Sequence, residues 1–518
     1  MSENSEMSEQ VQVRAAKRQQ ILDTGQQAYP VELPLTSTIQ DIREKYAGLE
    51  AGAETDNTVG IAGRVVFARN TGKLCFAMLQ AGDGTRLQVM LSAGEIGTES
   101  LAEYKQLVDL GDFLFVHGRV ISSKRGELSV FATPGSPTEL DPVTGLAVPA
   151  WQIASKALRP LPKTFTTATG EESELSEETR IRQRYLDMIT RPAARDMVRK
   201  RYRVVKALRD FMDSRGYIEA ETPMLQTIHG GAAARPFITH MNAYDIDLYL
   251  RIAPELFLKR CIIGGVDRVY EINRNFRNEG ADSSHSPEFS MMEAYEAYGN
   301  YNTIGQLTQD LIQAAAREVF GSEVVTLADG SEYDLSGQWQ TLDLYETVSE
   351  AVGAEVTPET PRANLVAHAQ KLGIEVDDYM VNGRIVEEIF ETTSEDKLYQ
   401  PTFVRDYPED NSPLVRPHRS RPGIVEKWDL YVRGFELATG YSELVDPVIQ
   451  RSRFEAQSLA AAKGDPEAMQ LDNDFLTAME QGMPPTGGMG MGLDRLLMAL
   501  TGLGIRETIT FPLVKPTN

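Results

Sequence analysis

The sequence predicts an α+β protein, with a small β-barrel near the N-terminus and then a larger domain built on a mixed, mainly antiparallel sheet flanked by helices. Three observations carry this reading. Short β-rich runs crowd the region from Thr58 to Phe131, a proline-dense stretch follows, and strand-like and helix-like segments then alternate without regular βαβ spacing. The runs are VGIAGRVVFAR, KLCFAMLQ, TRLQVML, DFLFVHGRVISS and ELSVFA, several of them parted by Gly-containing turns at 70–73, 82–85 and 124–127. With one short helical stretch near Ser100 to Val108, they suit an oligonucleotide/oligosaccharide-binding (OB) barrel. Prolines at 134, 137, 142, 149 and 160 mark the break. The expected division is a helical extension over 1–57, the barrel over 58–148, a linker over 149–185 and the larger domain over 186–518.

Past the linker, Ala194, Met197, Val198, Val205, Leu208, Phe211 and Met212 recur at helical spacing and predict an amphipathic helix ending near Gly216. A strand is expected to run into Glu221, Thr222 and Pro223. The stretch 345–399 is helical in pattern, carries no cluster of candidate catalytic groups, and reads as an insertion.

Composition narrows the function classes. The chain has 518 residues, 42% hydrophobic and 25% charged, which excludes a disordered or fibrous protein. No apolar run reaches the roughly 20 residues of a membrane helix, and MSENSEMSEQ lacks the basic flank of a signal peptide, so a cytoplasmic protein without membrane attachment is expected. Cys75 and Cys261 lie far apart, too few for a disulfide framework or a cysteine zinc site. A net charge of -23 argues against a polyanion partner at first sight. Basic residues nevertheless cluster at Arg14, Lys17 and Arg18 and from Arg191 to Lys206, so the field can be polarised; solvated helix faces explain the clusters equally well.

Three segments carry chemistry. If PEFSMMEAYEAY is a strand, Phe289, Met291, Glu293 and Tyr295 share one face, as do Arg277 and Glu279 on the segment before it. An ordinary amphipathic strand is the competing account, but mixing aromatic and acid on one side fits no simple inside/outside pattern. In WDLYVRGFELATGYSE, a tight turn at Arg433 and Gly434 would pair Tyr431 with Glu436 and set Asp429 diagonally across from it. Two facing carboxylates point to a hard divalent cation such as Mg²⁺; without the turn they are two solvated acids. Period 2 sends Glu443 to the face opposite Glu436, and a bulge at Gly440 would be needed to unite them. GGMGMGLDR, Gly487 to Arg495, lacks the flanks of a dinucleotide fingerprint. Its glycines either admit a ligand close to the backbone, with Arg495 aimed at phosphate, or serve packing alone.

Together these residues resemble class II aminoacyl-tRNA synthetases. FRNE (276–279) with His285 and PEF (287–289) resembles their motif 2, GMGMGLDR their motif 3, and the basic helix leading to Pro223 their motif 1. GGAAARPF (230–237), RIAPELFLKR (251–260), MMEAYEAY (291–298) and GYSEL (440–444) are similar to bacterial lysyl-tRNA synthetases in particular, and the resemblance covers nearly the whole chain.

The resemblance implies a ligase that activates L-lysine with ATP and transfers it to tRNA(Lys), as a homodimer with Pro223 near its interface and with Mg²⁺ as cofactor. It assigns Arg277 and Arg495 as catalytic. Arg277 would hold the α-phosphate and the substrate carboxylate, Glu279 the adenine edge, and Phe289 would stack on adenine. His285 and Arg495 would engage the terminal phosphates, Gly490 and Gly492 would line the ATP site, and Glu436 would serve both ATP and metal, with Asp429 as the second metal ligand. Gly231, Glu255, Glu293, Tyr295, Thr439 and Glu443 match the lysine pocket. Thr439 stands where asparagine is common in the family, and Asp429 where glutamate is. In the barrel, Phe76 would stack on an anticodon base and Gln88 read an edge, with Arg64 or Arg69 on phosphates; a core phenylalanine and a surface glutamine are the plain alternatives. Two other functions compete: a paralogue lysylating a protein, which would lack the barrel, and an inactive tRNA-binding module, which would have lost motif residues.

Overall fold

The computed structural model describes residues 3–136, 145, 147–162, 165–166, 172–173, 175–282, 285–462 and 469–516. The chain divides into two compact units, 1–195 and 196–518.

The first unit opens with helices α1 (Glu3–Asp23) and α2 (Ile39–Lys45); Thr38 and Asp41 form a capping box at the start of α2. Strands β1 (Glu54–Asn70), β2 (Leu74–Gln80), β3 (Arg86–Ser92), β4 (Phe113–Ser122) and β5 (Leu128–Ala132) follow in the order the β-rich runs predict, with α3 (Thr98–Leu107) between β3 and β4. Because β1 is long enough to pair with both β2 and β4, the sheet closes on itself through β2, β3, β5 and β4. Alternate residues, among them Ile61, Ala77, Leu79, Val89 and Val130, fill the interior together with Leu101 and Tyr104 of α3. A sixth strand, β6 (Trp151–Ser155), pairs with β4, so the sheet takes in residues that the proline count places in the linker. The linker prolines at 137 and 142 lie outside the described residues.

In the second unit, α4 (Pro192–Ser214) buries Met197, Val204, Ala207, Leu208 and Met212. Val198, expected on that face, is 38% exposed, because the buried stripe runs through Val204 and Ala207 instead. Beyond it lies an eight-stranded sheet. Its members are β7 (Ile218–Glu219), β8 (Arg268–Phe276), β9 (Glu288–Ala297), β10 (Gln340–Asp343), β11 (Thr402–Pro408), β12 (Ile424–Val432), β13 (Phe435–Ser442) and β14 (Thr486–Gly492), in spatial order β10-β11-β12-β13-β14-β9-β8-β7. Only the two outermost pairings are parallel. Helices α5 (Glu255–Ile263), α6 (Tyr301–Phe320) and, after the insertion, α10 (Leu493–Thr501) flank it. The core faces α6 and α10 and takes Met292, Ala294, Leu430, Met489 and Met491, leaving the opposite sheet face for other residues. The insertion supplies α7 (Leu344–Val352), α8 (Arg362–Lys371) and α9 (Asn382–Thr393), which share their own core with β11 and β12.

Two local features differ from expectation. Strand β8 stops at Phe276, so Arg277 and Glu279 lie in the loop after it and do not share a strand face. The bulge in β13 is at Leu437, where the register passes from Tyr431 opposite Glu436 to Leu430 opposite Ala438. Gly440 has another purpose: a Cβ there would overlap the buried indole of Trp428, whose Nε1 donates to the Tyr301 carbonyl at 2.7 Å. The turn at Arg433 and Gly434 is as expected, both residues having positive φ, 56° and 79°. Gly440→Ala should therefore lower stability by about 1–3 kcal/mol, read as a shift of the urea midpoint at constant slope.

Candidate active site

The sheet face away from the core is a register of chemistry. Glu271 of β8 pairs with Glu293 of β9, Glu293 with Gly490 of β14, Gly490 with Thr439 of β13, and Thr439 with Asp429 of β12. The neighbouring row reads Tyr295, Gly488, Tyr441 and Lys427. With strands about 4.8 Å apart, Glu293 and Asp429 stand about 14 Å from each other at their backbones, and the glycine strand between them forms a floor without side chains. A Cβ on Gly488 would run into Glu443 Oε1 and the Tyr295 ring, whereas Gly490 borders open cavity. Gly488 is thus needed for packing, while Gly490 lies at the edge of the cavity.

Two adjoining cavities of about 470 and 750 Å³ open over this floor. They share a wall containing Arg277, His285, Glu436, Thr439, Gly490 and Arg495. Glu279, Phe289 and Gly492 line the smaller; Gly231, Glu255, Glu293, Tyr295, Asp429 and Glu443 line the larger. The structure thus brings every site residue expected in the larger domain to one continuous space.

One end is acidic. Glu255 starts α5, and Gly231, at φ +87°, passes so close that a Cβ would meet that of Glu255 at 3.0 Å. Burial pushes the carboxyl of Glu293 up to about 8, with Glu255 adding repulsion; Tyr295 donates to Glu293 Oε2 at 3.1 Å and opposes the shift. Burial also raises Glu443 and Glu255. Between these two lies Lys259, fully buried, its Nζ 2.6 Å from Glu255 Oε1 and 2.5 Å from Glu443 Oε2. Sequence reasoning missed Lys259, although the i, i+4 spacing from Glu255 to Lys259 on a helix was the signal.

The other end is basic and aromatic. The Arg277 guanidinium lies 5.0 Å from the centroid of Phe289, and burial pulls its pKa down, with Glu279, Glu436 and Glu293 opposing. Arg495 leaves β14 at the start of α10, donates to the Glu436 carbonyl at 2.7 Å and meets His285 Nε2 at 3.2 Å. His285 Nδ1 faces Asp282 at 3.0 Å. Asp429 accepts from Lys427 at 3.0 Å through Oδ2, while its Oδ1 is buried without a hydrogen-bond partner among the described residues. Burial and the neighbouring Asp429 charge raise Glu436. Among the described residues no group of three or more His, Cys, Asp or Glu is placed to hold a metal ion.

The insertion also contributes, against expectation. Arg384, Glu387 and Glu391 of α9, with Glu395 just beyond, line the larger cavity, and Arg384 lines both. Their spacing of three or four residues puts them on one side of a helix whose other side buries Ile385, Val386 and Ile389. That second, polar stripe was the legible signal.

In the first unit, Phe76 and Gln88 fall on the outward face of the barrel, alternating with inward Cys75, Ala77 and Val89. Phe76 pairs with Arg69 and with Met90, and Gln88 donates to Ser129 Oγ at 2.8 Å. Arg64 shares that face but donates to the Gly111 carbonyl at 2.9 Å and stacks on Phe113. Phe67, 55% exposed on the same face, went unnoticed in the sequence.

Residues 176–515 match the family described as tRNA synthetases class II (D, K and N), and residues 59–134 match the OB-fold nucleic acid binding domain. The chain belongs to the class II tRNA synthetases. Within that class it is 61% identical to a lysine–tRNA ligase of Kineococcus radiotolerans, over 99% of this chain and 98% of the relative. A lysine–tRNA ligase of Mycolicibacterium gilvum is 58% identical over 98% of each chain. One from Mycobacterium bovis is 53% identical over 99% and 98%. For this class II synthetase, the raised Glu293 carboxyl has a consequence for stability. Its folded pKa exceeds the unfolded value, so the stability it contributes is present below about pH 4.5 and is lost as pH rises through about 8. The melting temperature should fall more steeply from pH 6 to 9 in the wild type than in Glu293→Gln; equal slopes would contradict the assignment.

Proposed function

We propose that this class II synthetase is a lysine–tRNA ligase, joining L-lysine to ATP as lysyl-adenylate with release of pyrophosphate and then passing lysine to the 3′-terminal ribose of tRNA(Lys). The observation that carries the reading is the acidic end of the cavity, where Glu255, Glu293, Glu443 and Tyr295 surround a space joined directly to Arg277. A side-chain ammonium needs such acceptors, each charge-assisted bond contributing about 1.5–3 kcal/mol. An aspartate or asparagine pocket would need donors there, and an apolar amino acid would leave Glu293 buried with no cation beside it and Glu255 and Glu443 sharing Lys259 alone.

In the proposed mechanism a lysine carboxylate oxygen attacks the α-phosphorus of ATP in line, forming the P–O bond as the bond to pyrophosphate breaks. The nucleophile is already an anion, so no general base is required. Arg277 neutralises charge developing on the α-phosphoryl oxygens and holds the carboxylate, Phe289 and Glu279 hold the adenine, and Arg495 with His285 receives the pyrophosphate. The ribose hydroxyl of tRNA then attacks the adenylate carbonyl and releases AMP.

Asp429, with its partnerless Oδ1, and the raised Glu436 suit Mg²⁺, which is usually held by one or two carboxylates together with phosphate oxygens. A bound magnesium ion supplies charge neutralisation on the triphosphate. Homodimer formation is supported by the apolar residues Ile218, Met224 and Leu225, 60%, 46% and 51% exposed around Pro223. Anticodon contact is supported by the outward Phe76 and Gln88. A cytoplasmic site of action follows from the tRNA substrate, and no described helix is long and apolar enough to cross a membrane.

ATP/pyrophosphate exchange with each of the twenty amino acids tests the reading: exchange should require L-lysine and Mg²⁺, and exchange with aspartate or with none would refute it. Arg277→Ala should lower exchange by at least about 10²-fold while leaving the melting temperature unchanged. Phe76→Ala should leave exchange intact and raise the KM for tRNA about 10-fold, the loss of one stacked base.

A further inference from the structure

Lys259 lies behind the acidic wall of the cavity, its side chain and that of Glu443 both sealed from solvent at 0% exposure. It pairs with Glu255 and Glu443 at once, at 2.6 and 2.5 Å; the Glu443 contact is an ion pair to Oε2, and Glu443 Oε1 has neither an ion-pair nor a hydrogen-bond partner among the described residues. The carboxylates flanking this end are already matched: Glu271 has Arg251 at 2.7 Å and Asp429 has Lys427 at 3.0 Å. Once Glu293 is ionised, Glu255, Glu293 and Glu443 stand at this end against the single cation Lys259, a deficit of two positive charges to be met by the substrate. L-lysine carries two ammonium groups, while its carboxylate falls to Arg277.

We infer that Lys259 is a positioning residue for substrate selection: it sets the charge deficit of the pocket at two and turns the free Glu443 oxygen toward the substrate. This rests on the lysine reading above. An ordinary buried ion pair would stabilise the fold without regard to the substrate. A charge-setting lysine makes a different demand, because removing it leaves three carboxylates for two ammonium groups, so one must be desolvated unpaired or take up a proton. Removing Glu255 alone errs in the other direction, and removing both restores the match.

The test is ATP/pyrophosphate exchange by the full chain as wild type, Lys259→Met, Glu255→Gln and the double variant, with KM measured separately for L-lysine and for ATP. Lys259→Met should raise the KM for lysine about 30-fold and leave that for ATP within about 2-fold. Adding Glu255→Gln to Lys259→Met should lower the KM for lysine again, although it deletes a pocket carboxylate. If Lys259→Met fails to fold, Glu255→Gln against the double variant carries the comparison, and the second substitution should again lower the KM for lysine. Parallel changes in both KM values, an unchanged KM for lysine, or a double variant worse than either single one would overturn the inference. Failure of the wild type to exchange with lysine would instead overturn the reading of the substrate.

Discussion

One extra residue in β13 governs the site. Glu436 and Glu443 are seven residues apart, and in a regular strand they would face opposite ways. The bulge at Leu437 turns that residue and Ala438 toward the core and returns Thr439, Tyr441 and Glu443 to the face of Glu436. A single strand thereby serves both ends of the cavity. The type of turn at Arg433–Gly434 fixes the start of this register, and Gly440 under Trp428 fixes its continuation. Deleting the bulge would exchange a row of polar groups for a row of apolar ones across half the floor.

The second constraint is electrostatic. The carboxylates of the acidic end are buried, so they are screened less than surface groups, and burial raises Glu293 to about 8, leaving it largely protonated near neutrality. The basic end carries the opposite sign in Arg277 and Arg495. An amphoteric substrate with cationic groups at one end and a carboxylate at the other is oriented by that field before any shape is read. The floor of glycines between the ends leaves room for it. Orientation of this kind is what converts binding into attack by the carboxylate rather than mere occupancy.

Much of this was legible in the sequence, because strand alternation is strict where one face is buried. Phe289, Met291, Glu293 and Tyr295 share a face as period 2 requires, and the hairpin pairing of Tyr431 with Glu436 follows from the Arg-Gly turn. What escaped depended on long-range packing. The position of the bulge is set by the core contacts of Leu437 and Ala438, not by the residues flanking it. The cavity wall supplied by α9 required a helix to be docked before its polar stripe acquired meaning. Lys259 escaped because a lysine in a helix is usually exposed; only the convergence of α5 with the segment after β13 gives it two carboxylates.

The central claim is that cationic groups of the substrate ionise carboxylates which the empty pocket keeps protonated. Calorimetric titration of the protein with L-lysine near pH 7, in two buffers of different ionisation enthalpy, measures protons exchanged on binding. Net release of protons is the expected result, because Glu293, raised to about 8 in the free pocket, becomes a carboxylate beside an ammonium. Binding with no proton exchange, or with uptake, would contradict the account.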